Sequence, residues 1–380
     1  MSARRDECRP HGAPSKLMLR AGVVVVYAPN LNTTSVYVNF DGRNAVSRSA
    51  VDETVGEREL GSRKASVQSS RRQFLTMALA AGALPHLPAF ATEALSHSRV
   101  YHLLGVPLRA GSFYPGTEDD AKAYREAGLI DRMRAAGCEV VDDGDIQIPN
   151  YLPHHAIPPV RNWPAPRIAW DSISQRLGEV LRRPSHVPVL IGCDCSVVVA
   201  STQALLQSGA PNVHVLYVDG DFDAAEPQAA HVQSAASVGV WLLTHESPFW
   251  SGPVLQSSQV TPVGASVQTP SPMNGAITLA DIRRLGVQTA ASNALKNVAD
   301  SAAVILHIDV DVLRDDAFPI AYFPHANGLN LTELRELIAV LAHHPRVRIV
   351  EVSEYASLRD AGRKLAAQLS DVLATALSRG

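Results

Sequence analysis

The chain is short of the features that mark several large classes of protein. Its 4 cysteines in 380 residues are too few for a disulfide scaffold. Its 34 lysines and arginines are balanced by 37 acidic residues, so no excess of positive charge favours nucleic acid or a polybasic membrane contact. No P-loop and no G-x-G-x-x-G motif follows any expected strand. A hydrophobic fraction of 46% is instead typical of a globular domain, with or without an extension.

The chain also lacks an apolar run long enough to predict a stable membrane span. Its most apolar N-terminal stretch, residues 74–87, follows Arg71 and Arg72 and precedes a small-x-small sequence at residues 89–91. This order resembles a twin-arginine export signal, which predicts a periplasmic or secreted protein, or a cytoplasmic one if the signal does not function. The alternative is a chance arginine pair ahead of a core helix.

These observations predict three parts. Residues 1–69 are rich in Ser, Arg and Val without clear periodicity, which indicates a disordered leader or a start codon assigned too early. Residues 70–95 form the twin-arginine signal segment. Residues 96–380 form the folded catalytic domain.

From residue 100 onward, short apolar runs alternate with amphipathic segments. Runs such as VPVLIG, VHVLYV, AVILHI and VRIVEV are continuous in Val, Ile and Leu, as expected of strands that are buried on both faces. The segments between them predict helices, chiefly over residues 117–137, 171–183, 195–208, 293–302, 331–343 and 360–377. Residues 254–284 predict loops around one short strand. The pattern predicts a three-layer α/β/α fold with a mainly parallel sheet.

Four of the expected strands run directly into thiol or carboxyl side chains. In open α/β sheets, ligands bind outside the carboxyl ends of the strands. A spacing of two residues along an extended chain also keeps alternate side chains on one side. Because grouped carboxylates repel one another, something must offset the repulsion, and the candidates are water, a basic partner or a metal ion. The residues concerned are Cys193 and Cys195, Asp219, Asp221 and Asp223, Asp309 and Asp311, and Glu354.

Other polar residues have structural explanations. Asp194 is expected to cap a turn or a helix, because it directly follows a strand. His307 is expected to be a core histidine, because it lies inside an apolar strand. Asp315 and Asp316 are expected in a solvated loop. His343 and His344 are expected at the end of a helix, where they complement the helix dipole.

Three blocks of the sequence resemble the ureohydrolase family, which includes arginase, agmatinase and formimidoylglutamase. GCDCS at 192–196 resembles the family's GGDHS, DGDFD at 219–223 resembles DAHxD, and HIDVDVLRDDAFP at 307–319 resembles SxDxDxxDP. Residues 105–146 resemble the family's opening, residues 325–337 its Gly-Gly-Leu-Thr segment, and residues 353–366 its E-x-x-P-x-x-D ending. The resemblance spans about residues 100–377, in order.

The resemblance implies hydrolysis of a guanidino or related C–N bond in a small-molecule substrate, assisted by one or two Mn²⁺ or other divalent ions. Glu354 matches the acid that contacts the guanidinium group. His231 is the nearest counterpart of the proton-shuttling histidine, although its spacing differs from that in arginase. A homo-oligomer is possible, since ureohydrolases often form trimers or hexamers. The implied metal ligands are Asp219, Asp221, Asp223, Asp309, Asp311 and Cys195.

Both histidine ligands of the family are replaced, because Cys195 stands at the first position and Asp221 at the second. Five carboxylates and a thiolate would carry about −6 against about +4 from two divalent ions, which is unfavourable in a buried site. Either Asp221 or Cys195 stays protonated, or the site holds one metal or none, or a two-residue deletion makes Asp223 a loop residue. A thiolate also favours zinc or iron over manganese.

Two functions therefore remain open at the level of sequence. The first is an exported, metal-dependent hydrolase of the arginase family. The alternative is a catalytically inactive binding or regulatory protein that keeps the arginase fold, which the loss of both histidines favours. Residues 254–284 show no contact pattern from which a substrate can be named.

Overall fold

The structure is a computed structural model, and it describes residues 24–25, 37–38, 98–107, 119–148, 155–266 and 273–378. The chain divides into two units, Met1–Pro88 and Ala89–Gly380. In the first unit, β1 (Val24–Val25) pairs antiparallel with β2 (Tyr37–Val38). The rest of the predicted leader and the whole twin-arginine segment lie outside the described residues.

A seven-stranded parallel sheet forms the centre of the second unit. Its order is β4-β3-β5-β9-β8-β6-β7, and every neighbouring pair is parallel. The carboxyl ends of all seven strands therefore meet at one edge. The strands are β3 (Val100–Gly105), β4 (Glu139–Asp145), β5 (His186–Cys193), β6 (Val213–Val218), β7 (Val260–Val263), β8 (Ala303–Asp309) and β9 (Val347–Ser353).

Helices cover both faces of this sheet and bury one apolar core on each side of it. In chain order they are α1 (Asp120–Glu126), α2 (Leu129–Ala135), α3 (Ala165–Leu181), α4 (Val197–Gln207), α5 (Gly239–Thr244), α6 (Leu279–Leu285), α7 (Val287–Leu295), α8 (Leu331–Ala342) and α9 (Lys364–Leu377). Helices α3, α4 and α5 contribute to one core, and the other six contribute to the second. The predicted three-layer α/β/α fold is confirmed.

The structure differs from the sequence prediction at several helices, and α3 begins at Ala165, ahead of the predicted residue 171. Residues 117–137 were predicted as one helix, but Gly128 adopts a φ of 80° and separates α1 from α2. Helix α6 lies partly in the region predicted as loops, and its signal was the capping box formed by Thr278 and Asp281. Helix α7 begins at Val287, ahead of the predicted residue 293. None of the helices in the described ranges is long and apolar enough to cross a membrane.

Candidate active site

The carboxyl ends of β5, β9, β8 and β6 lie side by side in the sheet and deliver the predicted site residues to one place. Asp219 follows β6 directly, Asp309 ends β8, Glu354 follows β9, and Cys195 lies two residues beyond β5. A cavity of about 610 Å³ opens above them. Its lining includes Cys195, Asp221, Asp223, Asp309, Asp311 and Glu354.

Short turns fix the acidic side chains at the ends of β6 and β8. Oδ1 of Asp219 accepts a hydrogen bond from the backbone N–H of Asp221 at 2.7 Å, and Oδ1 of Asp221 accepts one from Asp223 at 2.8 Å. Oδ1 of Asp309 accepts one from Asp311 at 2.7 Å. Each of these three carboxylates thus uses one oxygen to shape its own turn.

Asp219 is the carboxyl group of the site that is most isolated from solvent. Its side chain is 1% exposed, and its Oδ2 has no hydrogen-bond partner among the described residues. Burial raises the pKa of Asp219 well above the usual range, and the neighbouring charges of Asp311 and Asp309 raise it further. Burial also raises the pKa of Asp309, with Asp311 the next cause. A buried carboxylate in this position is satisfied by a proton or by a metal ion.

Three sets of side chains place donor atoms within 4.8 Å of one another, as a metal site requires. Asp219 belongs to all three sets. These donors fit a divalent cation. They do not reproduce two imidazole ligands at the positions of Cys195 and Asp221. The sets are Asp219 with Asp309 and Asp311, Asp219 with Asp221 and Asp223, and Asp219 with Cys195 and His307.

The thiol of Cys195 lies at the centre of a buried hydrogen-bonded cluster. Its Sγ donates to Oδ2 of Asp309 at 2.7 Å and lies 3.1 Å from Oγ of Ser353. Burial raises the pKa of Cys195 well above the usual range, and Asp309 is the next cause. Oγ of Ser353 is also 3.2 Å from Nε2 of His307, whose Nδ1 is 2.7 Å from Oε2 of Glu351. His307 is fully buried, as expected of a core histidine, and it also contacts the site.

Two of the site acids hold unusual backbone conformations. The φ angles of Asp223 and Glu354 are 45° and 60°, in the left-handed region that non-glycine residues rarely adopt. The N–H of Glu354 donates to the carbonyl of Cys193 at 3.0 Å, and its carbonyl accepts from Tyr322 at 3.0 Å. Its Oε1 accepts from the N–H of Cys195 at 3.2 Å. Strain of this kind is concentrated at functional sites, where surrounding contacts hold it.

Several cavity residues were missed by the reasoning from sequence. Nε2 of His325 lies 3.4 Å from Oδ2 of Asp311, and the proximity of this carboxylate raises the pKa of His325. The guanidinium of Arg359 donates to the carbonyl of Ala321 at 2.6 Å and lies 5.9 Å from the ring centroid of Tyr322. His325 and Arg359 both occur in segments that resemble the family, but no feature of the sequence predicted that their side chains line the cavity. Phe323 completes this side of the lining.

Asp219 lies within the acid cluster without lining the cavity itself, whereas His231 belongs to neither. Its side chain is exposed, and it is absent from the cavity lining. Its backbone N–H closes a turn on the carbonyl of Gln228 at 3.1 Å. His231 follows β6 by 13 residues, in the loop whose later residues Ser234, Ala236 and Ser237 line the cavity. His325 occupies the place beside the acids instead.

Parts of the sequence are similar to arginases from animals and bacteria. Non-hepatic arginase 3 of Xenopus laevis is 28% identical over 43% of this chain and 47% of its own length. Human arginase-1 is 27% identical over 34% of this chain and 40% of its own length. The chain thus spans about half or less of these curated relatives. The arginase of Staphylococcus aureus is 22% identical over 74% of this chain and 98% of its own length.

Solved structures give the same fold. A crystal structure of arginase from Bacillus subtilis superposes with a TM-score of 0.63 at 18% identity, covering 74% of this chain and 99% of the other. Formimidoylglutamase from Bacillus subtilis has a TM-score of 0.58 at 20% identity, covering 73% and 86%. The model described as "Arginase family" matches residues 100–378. The chain therefore belongs to the arginase family, in agreement with the resemblance of its sequence blocks.

Proposed function

We propose that this protein is a metal-dependent hydrolase that cleaves a guanidino or related amidine C–N bond in a small molecule. The convergence of buried acids from β6 and β8 under one cavity carries the proposal. Asp219 is the central observation, because its buried Oδ2 has no partner among the described residues and lies in all three donor sets. An acidic cavity of this size also suits a small cationic substrate.

Asp219, Asp309 and Asp311 would hold a divalent cation, and Asp221 and Asp223 provide a further pair of donors beside Asp219. When bound, such a cation supplies a Lewis acid and lowers the pKa of a water molecule. Mn²⁺ suits the carboxylate donors, and a softer ion suits the thiol of Cys195.

Glu354 would orient the substrate. Its carboxylate reaches the cavity from a constrained backbone, and a planar guanidinium or amidine group can donate two parallel hydrogen bonds to a carboxylate. His325 would move the proton to the leaving nitrogen, since it lies in the lining and carries a raised pKa beside Asp311. In this proposal His325 takes the role that the sequence had suggested for His231.

Arg359 would select among cationic substrates. Among the described lining residues it carries the only permanent positive charge. It is anchored by the carbonyl of Ala321, and its charge repels a second cationic group in the ligand. The proposed substrate class is therefore a guanidino or amidino acid, whose carboxylate faces Arg359, in preference to a guanidino amine.

The test is an assay of the full-length protein with added Mn²⁺ or Zn²⁺. The panel is arginine, hydroxyarginine, guanidinobutyrate, formimidoylglutamate and agmatine, and release of urea, ammonia or the corresponding amide is measured. We expect metal-dependent release from at least one acid of the panel, and less from agmatine. Protein that binds metal but is inert to every compound would instead support the inactive binding protein, which the replaced histidine positions favour.

We also propose that the protein is exported by the twin-arginine route. The support is the order of Arg71, Arg72 and the apolar run in the sequence, and these residues lie outside the described ranges. The route carries folded proteins, so a metal could be loaded in the cytoplasm. Arg71→Lys with Arg72→Lys should retain the protein in the cytoplasm on cell fractionation. Arg58→Lys with Arg63→Lys is the matched control, and export that survives the first pair would reject the proposal.

A further inference from the structure

We propose that Cys195, Asp219 and His307 form a three-ligand site for a zinc-class divalent ion. Their donor atoms lie within 4.8 Å of one another, and no side chain of the three is more than 1% exposed. His307 is not among the ligands that the family resemblance implied. The inference rests on the proposed function only in assigning the ion to the same cavity, and it does not require that hydrolysis be retained.

The surroundings of His307 orient it as a metal ligand. Its Nδ1 lies 2.7 Å from Oε2 of Glu351, and both side chains are fully buried. A carboxylate at this nitrogen fixes the tautomer with the proton on Nδ1 and leaves a lone pair on Nε2. The ring of Tyr217 stacks on the imidazole with centroids 4.3 Å apart and planes 2° from parallel. Metal-binding histidines are commonly held by a carboxylate in this way.

The hydroxyl of Ser353 lies between the two softer donors. Its Oγ is 3.2 Å from Nε2 of His307 and 3.1 Å from Sγ of Cys195. The carbonyl of Ile308, at 3.4 Å, offers this hydroxyl another partner. The Ser353 hydroxyl can therefore donate to the carbonyl of Ile308 when the thiol and the imidazole bind a common ion.

Asp219 supplies the third donor and balances the charge. Its Oδ1 is engaged by the N–H of Asp221, whereas its buried Oδ2 has no partner among the described residues. One thiolate and one carboxylate neutralise one divalent ion, and the imidazole adds no charge. The thiol proton of Cys195 is released as the metal–sulfur bond forms.

The donor types also select the metal. Sulfur, nitrogen and oxygen donors together suit Zn²⁺ and Co²⁺ better than Mn²⁺, which prefers oxygen. Catalytic zinc sites use three protein ligands and keep a fourth position open. Cys195 lines the cavity, so the open position would face the space available to a ligand.

Titration of the metal-stripped, full-length protein with Co²⁺ tests the assignment. We expect one equivalent to bind and to produce the near-ultraviolet charge-transfer absorption of a cobalt–thiolate bond. Cys195→Ser should lose this absorption. Cys193→Ser should keep it, since that buried thiol points at the carbonyl of Val352. Zn²⁺ should bind at least about tenfold more tightly than Mn²⁺. Glu351→Gln should weaken Zn²⁺ binding about 10- to 100-fold.

Because buried variants can fail to fold, the wild-type protein loaded with one equivalent of Zn²⁺ provides a second test. X-ray absorption should show one sulfur at about 2.3 Å and lighter donors at about 2.0–2.2 Å. A shell of oxygen and nitrogen alone, or Co²⁺ binding without the thiolate band, would overturn the inference. Sulfur ligation in a protein inert to the substrate panel would reject the proposed function alone. Mn²⁺-dependent hydrolysis without sulfur ligation would reject this site alone.

Discussion

At the scale of single residues, Asp219 combines three properties that disfavour its ionised form. It is buried, it lies beside the carboxylates of Asp309 and Asp311, and one of its oxygens has no hydrogen-bond partner among the described residues. Burial and like charges both disfavour the ionised form, which is why its pKa is raised. In the proposed site, Asp219 would therefore favour metal binding at the expense of the stability of the metal-free fold.

Asp219→Asn separates these two effects. The neutral amide removes the repulsion, so the metal-free variant should unfold at a higher temperature than the wild type near neutral pH. A gain of about 1 kcal/mol would raise the Tm by about 2–4 °C. The same change should abolish stabilisation by added Zn²⁺ or Mn²⁺ in thermal unfolding. Asp316→Asn, on an exposed side chain, is the control and should leave both readings unchanged. Retained metal stabilisation in Asp219→Asn would contradict the assignment.

Glu354→Gln tests the proposed contact with a cationic substrate. The amide keeps the size of the side chain but loses its charge, and a hydrogen bond to a charged group contributes about 1.5–3 kcal/mol. We expect kcat/KM to fall about 10- to 100-fold with little change in Tm. Glu226→Gln, at an exposed position outside the cavity lining, should leave the kinetics unchanged. A wild-type value for Glu354→Gln would place the substrate cation elsewhere.

At the scale of elements, the central strands could be predicted because each is a continuous run of Val, Ile and Leu. Because the strands are parallel, the acidic residues that follow them could also be predicted to lie together at the carboxyl edge of the sheet. The segment at residues 320–325 could not be predicted in the same way. Tyr322 is held by the N–H···O bond to Glu354, and Arg314 pairs with His325 across a short bridge. These contacts join residues of different loops, so no local period or cap encodes them.

Gly220 allows the segment at residues 320–325 to pack closely against the strand ends, because it has no side chain. A Cβ at this position would overlap the imidazole of His325 and would lie 2.8 Å from the carbonyl oxygen of Asp311. Gly220→Ala should therefore displace His325 and the loop that carries Asp311. We expect loss of metal-induced stabilisation and a lower Tm. Gly178→Ala, within α3 and with nothing within 4 Å of the new methyl group, should instead raise the stability slightly. Equal behaviour of the two variants would show that the contact at Gly220 relaxes freely.

At the scale of the whole molecule, the site depends on the complete sheet. Its acids and thiol come from four neighbouring strands, and the residues from Cys195 to Glu354 are far apart in the chain. The donor atoms approach one another only after the strands have paired. The electrostatic cost of the site is therefore a cost to global folding, and it should be visible in the pH dependence of unfolding.

The pKa of Asp219 and of Asp309 is raised above 3.8 in the folded state, by burial first and then by neighbouring acids. The folded chain thus binds more protons than the unfolded chain, and stability falls as pH rises. This contribution is complete below pH 3.8 and is lost as pH passes through the raised values. His214 acts oppositely, because burial lowers its pKa from 6.5 to about 4 and so costs stability as pH falls below 6.5.

Both the wild type and Asp219→Asn contain His214, so the effect of His214 on stability cancels when the two proteins are compared. In metal-free wild type, Tm should fall more steeply from pH 5 to pH 8 than in Asp219→Asn, because the variant lacks one of the raised carboxyl groups. Saturating Zn²⁺ should reverse the trend in the wild type, since metal displaces protons from the ligands and binds the folded state. Thermal unfolding over this range, with and without metal, measures both effects. Parallel curves for the two metal-free proteins would mean that Asp219 ionises normally in the folded state and that the buried acids do not repel one another as their positions imply.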